Sequence, residues 1–171
     1  LLPAMAWCSD TLELWLAAPL YATGLFVCCM YCHGELHRLR PAPRHLTAFY
    51  LMIASGGAIG ALLVGVGAPA LLSGYYELGM TLVACALVLL ATVRSGPRWA
   101  AAGALATVAL TTGYAVHNLK DYLNGARVVA RNFYGVVRTR DFEYPVPYRV
   151  MYHGAIDHGG QLLEADFRRE P

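Results

Sequence analysis

Cys29-Met30-Tyr31-Cys32-His33 has the spacing of a covalent haem attachment: two thiols three residues apart to bond the vinyl groups, and a histidine to supply an axial ligand. His33 and His37 stand one helical turn apart with Glu35 between them, so two imidazoles could face one metal ion. Ser55-Gly56-Gly57-Ala58-Ile59-Gly60 has the glycine content of a loop that cradles phosphate. The run from His153 through Gly154, Asp157 and His158 to Gln161 sets two histidines, a carboxylate and an amide on a glycine-loosened backbone. That composition suits a ligand-facing loop or a polar hairpin.

The elements that must position these groups decide among the chemistries. Of the 171 residues, 57% are hydrophobic and 14% charged, against about 25% charged in a soluble domain. Such a chain lacks the polar surface to stay in water. The long uncharged runs lie between Leu14 and Val116. A helix rises 1.5 Å per residue and needs about 20 apolar residues to cross the hydrocarbon layer. The reading is therefore a membrane all-α region of about four transmembrane helices, near 14–32, 46–67, 76–93 and 99–116. An extramembrane segment 1–13 precedes them, with Asp10 and Glu13 placed to cap the first span. Residues 117–126 read as a helical extension or linker. Residues 127–171, rich in β-branched and aromatic types, read as a small antiparallel β-rich extramembrane domain, with two or three strands up to Tyr152 and a turn at Pro145 and Pro147. No basic region with a short apolar core and cleavage site precedes the first span, so no signal peptide is expected.

Arginines set the expected orientation. Arg38, Arg40 and Arg44 follow the first span, Arg94 and Arg98 follow the third, and the connection after the second has none. Loops 33–45 and 94–98 are expected on the cytoplasmic side of a cell inner membrane, with the C-terminal domain outside. A net charge of +2 without a basic-aromatic stripe argues against nucleic acid as a partner. The expected partners are the lipid bilayer and other membrane subunits.

Against this frame the motifs sort differently. The Ser55–Gly60 glycines follow no strand and lie inside an apolar run. Gly56 and Gly60, and likewise Gly57, Ala61 and Gly65, recur every four residues, which makes them helix-packing faces that let another backbone approach. Cys29, Cys32 and His33 fall at the cytoplasmic end of the first span, away from the side where haem is attached, so c-type haem is disfavoured and no cofactor is expected. His33 and His37 lack a third ligand, so no metal is expected. With Arg38, Arg40, Arg44 and His45 they read as a polar collar at the membrane surface. His117, at the end of the fourth span, reads as a hydrated interfacial residue. Apart from Glu77 at the very edge of the third, no span carries a charged residue of the kind a coupling site in a transporter needs.

Five strings taken together resemble the membrane-fused spermidine synthase-like proteins: Cys32–Pro41, His45–Tyr50, Ser55–Gly60, Arg131–Val136 and Tyr152–Gln161. The resemblance implies a multi-span region followed by a polyamine synthase-like domain, which opens with a small β-sheet and continues into a Rossmann-like fold binding decarboxylated S-adenosylmethionine. It implies that Gly154, Asp157, His158 and Gln161 lie at the entrance of an aminopropyltransferase site. No strand followed by G-x-G-x-x-G is present in these 171 residues, so they are not expected to transfer aminopropyl groups by themselves. The functional expectation is a non-catalytic integral membrane subunit of spermidine synthase-like ancestry, within a larger complex of respiratory or photosynthetic type. The alternative is the N-terminal part of a membrane-anchored aminopropyltransferase.

Overall fold

Where no water is available, every backbone N–H and C=O must find its partner within its own segment, so long apolar runs are held as helices. The computed structural model of the chain describes residues 1–8, 13–154 and 156–164. Helix α1 spans Leu2–Trp7, α2 Leu14–Arg38, α3 Leu46–Leu62, α4 Ala68–Leu71, α5 Glu77–Val93 and α6 Arg98–Leu123. Among the described residues, three rods are long and apolar enough to cross a membrane: Leu14–Arg38, the continuous run Pro43–Leu71 and Arg98–Leu123. Helix α5 is also apolar but has 17 residues. That is about 26 Å at 1.5 Å per residue, a little short of the hydrocarbon thickness. The structure thus gives three candidate spans and one shorter apolar helix where composition predicts four spans.

The helices overrun the predicted span ends. Gly65, Gly67 and Pro69 suggest a stop near Gly67, yet the second rod runs on through α4, with a wide π-type turn over Leu63–Gly67 ahead of Pro69. A widened turn is the usual way a helix takes up a residue with no backbone N–H to donate. Helices α2 and α6 continue to Arg38 and Leu123 because polar residues sustain a helix in water as well. Asp10 lies outside the described residues. Glu13 occupies the cap position of α2 but does not cap it; its Oε2 instead accepts from the Trp15 indole Nε1 at 2.5 Å.

The chain forms two compact units, Leu1–Gly60 with Glu77–Leu119, and Ala61–Tyr76 with Lys120–Pro171. The first has a small core of Leu2, Met5, Ala6, Leu82 and Ala86, with Leu20, Tyr21, Cys28, Cys85, Val108 and Tyr114 packed against it. Helix α1 is the wedge of this core. The Tyr21 hydroxyl donates to the Met5 carbonyl at 2.8 Å, the Asn118 amide donates to the Ala6 carbonyl at 2.5 Å, and Trp7 meets Tyr114 edge-on at 4.7 Å. Residues 2–7 are therefore a packed part of the helical unit rather than a free tail.

The second unit carries an antiparallel meander in the order β1-β2-β3-β4, with β1 Ala126–Asn132, β2 Gly135–Phe142, β3 Tyr148–His153 and β4 Ile156–Leu162. The strand that the two-or-three-strand reading omits is β4, whose Gly159 and Gly160 conceal it from propensity. Alternation along β2 and β3 puts Val136, only 1% exposed, and Val150 on one face with Arg138 and Tyr152. Arg138 Nη1 donates to the Tyr122 carbonyl at 2.8 Å, and its guanidinium lies 4.3 Å from the Tyr122 ring and 5.3 Å from Tyr152. Arg131 Nη1 donates to the Gly74 carbonyl at 3.0 Å, with its guanidinium 4.9 Å from the Tyr75 ring. Planar guanidinium groups stacked on aromatic rings thus join the sheet to residues 74–75 and to the end of α6. Opposite each other on β2 and β3, Asp141 and Arg149 pair in a two-pronged contact at 2.6 and 2.8 Å. The Arg149 hydrogen bonds hold the Asp141 carboxyl below its ordinary range, with Arg127 adding to the effect.

Candidate functional sites

The run 153–161 is the β3–β4 hairpin. Gly154 takes φ +62° at its turn, a conformation open to glycine, and Gly159 takes φ +125° where the register between β3 and β4 shifts. Asp157 spends one carboxylate oxygen on its own backbone, accepting from Gly159 N–H at 2.8 Å. Asp157 faces Tyr152 across the ladder while Gln161 faces Arg149. Tyr152 and Arg149 are three apart on β3, so Asp157 and Gln161 project from opposite faces of the sheet. His158 stands 5.7 Å from His153, ring to ring. The hairpin therefore joins the two histidines, separates Asp157 from Gln161, and leaves Asp157, His158 and Gln161 exposed to solvent.

A more enclosed arrangement lies at the end of α2. His33, Leu36 and His37 recur at i, i+3 and i+4 on one face of α2, and Arg40 follows two residues past its end. With Phe49, Tyr50 and Ile53 from the start of α3 they line a cavity of about 300 Å³. The only carboxylate nearby in sequence, Glu35, is taken by Arg38 at 2.6 Å. The His33 and His37 spacing was legible in the sequence. The contribution of Phe49, Tyr50 and Ile53 was not, because it depends on how the chain turns at Pro41 to Pro43. Cys29 and Cys32 are exposed, and Cys28 and Cys85 pack beside the small core. Among the described residues no three His, Cys, Asp or Glu side chains come together as a metal site.

The small-residue faces lie on α3 and the turn that follows it. A Cβ placed on Gly56, Gly57, Gly60 or Gly65 would meet nothing within 4 Å, and the most apolar stretch of the Pro43–Leu71 rod is 0% buried. Elsewhere the rod is covered in places, since Ala68 is buried and Phe49 and Tyr50 line the cavity with α2, but the glycine-bearing middle stays open. No family model, curated protein or solved structure matches the chain. What the fold defines is a membrane protein of apolar helices bearing a small four-stranded antiparallel sheet.

Proposed function

We propose that this chain is a non-catalytic integral membrane subunit of spermidine synthase-like ancestry, crossing an inner membrane four times and packing its Gly56–Gly65 faces against other subunits of a larger complex. The single observation that carries the reading is the most apolar stretch of the Pro43–Leu71 rod, left unburied with its glycines open. Helices in lipid associate through close backbone contact at small residues, and this chain offers such a surface without using it. Fourfold crossing is supported by the second unit, in which residues before Glu77 and after Leu123 are tied together, Arg131 reaching Gly74. A chain that leaves one side at Glu77 and returns to it by Leu123 crosses an even number of times. Helix α6 supplies one crossing, and α5, with modest thinning of the bilayer, supplies the other.

The second reading is the front of a membrane-anchored aminopropyltransferase. The small antiparallel sheet ending in the Gly154–Gln161 hairpin supports it, because the resemblance implies such a sheet ahead of the nucleoside-binding fold. In this reading Asp157, His158 and Gln161 shape the polyamine entrance, and the nucleoside pocket comes from residues outside these 171.

Purification in mild detergent distinguishes the two. The subunit reading expects the chain to elute with other membrane proteins, and Gly56→Leu with Gly60→Leu to release it while it remains folded. Elution as a stable monomer contradicts that reading. Methylthioadenosine formed from decarboxylated S-adenosylmethionine and putrescine by the natural full-length protein establishes the second.

A further inference from the structure

The cavity between the end of α2 and the start of α3 is lined by His33, His37, Arg40 and Tyr50 together with the apolar Leu36, Phe49 and Ile53. Charge is unbalanced there. Between Tyr31 and Ile53 the sequence has three arginines and three histidines against one carboxylate, and that carboxylate, Glu35, pairs with Arg38 rather than with a cavity residue. Basic pockets between membrane helices are the places where acidic lipid headgroups are held.

We propose that this cavity binds the phosphodiester of one anionic phospholipid, with Arg40, His33 and His37 around the phosphate, Tyr50 at the polar edge and an acyl chain leaving past Leu36, Phe49 and Ile53. One feature separates a lipid from a free phosphate ion: Leu36, Phe49 and Ile53 are apolar and gain nothing from an inorganic ion. A zwitterionic lipid carries its own ammonium group and cancels the attraction, so the expected preference is for a net negative headgroup such as phosphatidylglycerol over phosphatidylcholine.

The test is native mass spectrometry of the full chain released from detergent, titrated with phosphatidylglycerol or phosphatidylcholine. The expected result is a single retained phosphatidylglycerol at concentrations about tenfold below those needed for phosphatidylcholine. Arg40→Gln with His37→Gln is expected to abolish that preference. Arg94→Gln with Arg98→Gln, which removes at least as much charge outside the cavity, is expected to keep it. A far-ultraviolet circular dichroism spectrum unchanged in both variants shows that any loss is local. Equal retention of the two lipids overturns the assignment, as does a preference that survives the Arg40 and His37 changes. Displacement of the bound lipid by millimolar inorganic phosphate overturns the lipid as occupant.

Discussion

The Pro43–Leu71 rod and the β-sheet differ in where they find their contacts. The rod is apolar on all sides, and the most apolar stretch within it is entirely unburied by this chain. The sheet is mixed in composition but buries Val136 and Val150 and ties its arginines to carbonyls, rings and a carboxylate. In water the sheet must gain its stability from the chain's own contacts. In lipid the rod is already solvated by hydrocarbon and needs no partner to remain a helix. What it lacks in contacts is surface available to another molecule, and this is why function is sought on the rod and its adjoining cavity rather than on the better-packed sheet.

The sharpest way to break this contrast is Val136→Asp, which places a charge at the most buried position of the sheet. It is expected to cost on the order of 3–5 kcal/mol and unfold the sheet unit, read as rapid proteolysis of residues 126–162 while the helices stay protected in detergent. Arg138→Ala comes next. Removing the guanidinium between Tyr122 and Tyr152 and its bond to the Tyr122 carbonyl is expected to cost about 1–3 kcal/mol, read as a lower proteolysis threshold in urea. Arg138→Lys is expected to recover only part of the loss, since an ammonium cannot stack in the same way.

Asp141→Asn sharpens the comparison on the electrostatic side. The Asp141 carboxyl is held below its unfolded value of about 3.9, so its pairing with Arg149 stabilises fully above that value and is lost as pH falls through the lower folded one. The variant is expected to show a slightly lower urea midpoint than the parent at neutral pH, with the gap closing below about pH 4. The smallest effect is expected at Gly57→Ala on the rod. With nothing within 4 Å of the new methyl, the isolated chain should change by less than about 0.5 kcal/mol. A larger change measured only in the native assembly locates a partner on that face.

Much of this was legible in the sequence where a single physical requirement dominates. Apolar length alone marks the 14–32 and 99–116 parts of α2 and α6, and β-branched residues mark β1 and β2. The legibility fails where two requirements compete. Pro69 reads as a stop because it lacks an N–H, but a wide turn absorbs it. Strand β4 is left open between a ligand-facing loop and a polar hairpin because its glycines and polar side chains give no alternation. Helix α1 reads as a tail because six residues carry no periodic signal, and its place depends on distant partners, Tyr21, Leu82 and Asn118. The cavity was half visible for the same reason: the spacing of His33 and His37 is local, whereas the opposing wall comes from the next helix.

The fourfold crossing is tested most directly by cysteine accessibility in intact cells and inverted vesicles, using single cysteines at Ala42, Ser73, Ser95 and Glu143 in a chain freed of its own cysteines. The account predicts that Ala42→Cys and Ser95→Cys react from one side of the membrane, and Ser73→Cys and Glu143→Cys from the other. Labelling of Ser73→Cys and Glu143→Cys from opposite sides would contradict it.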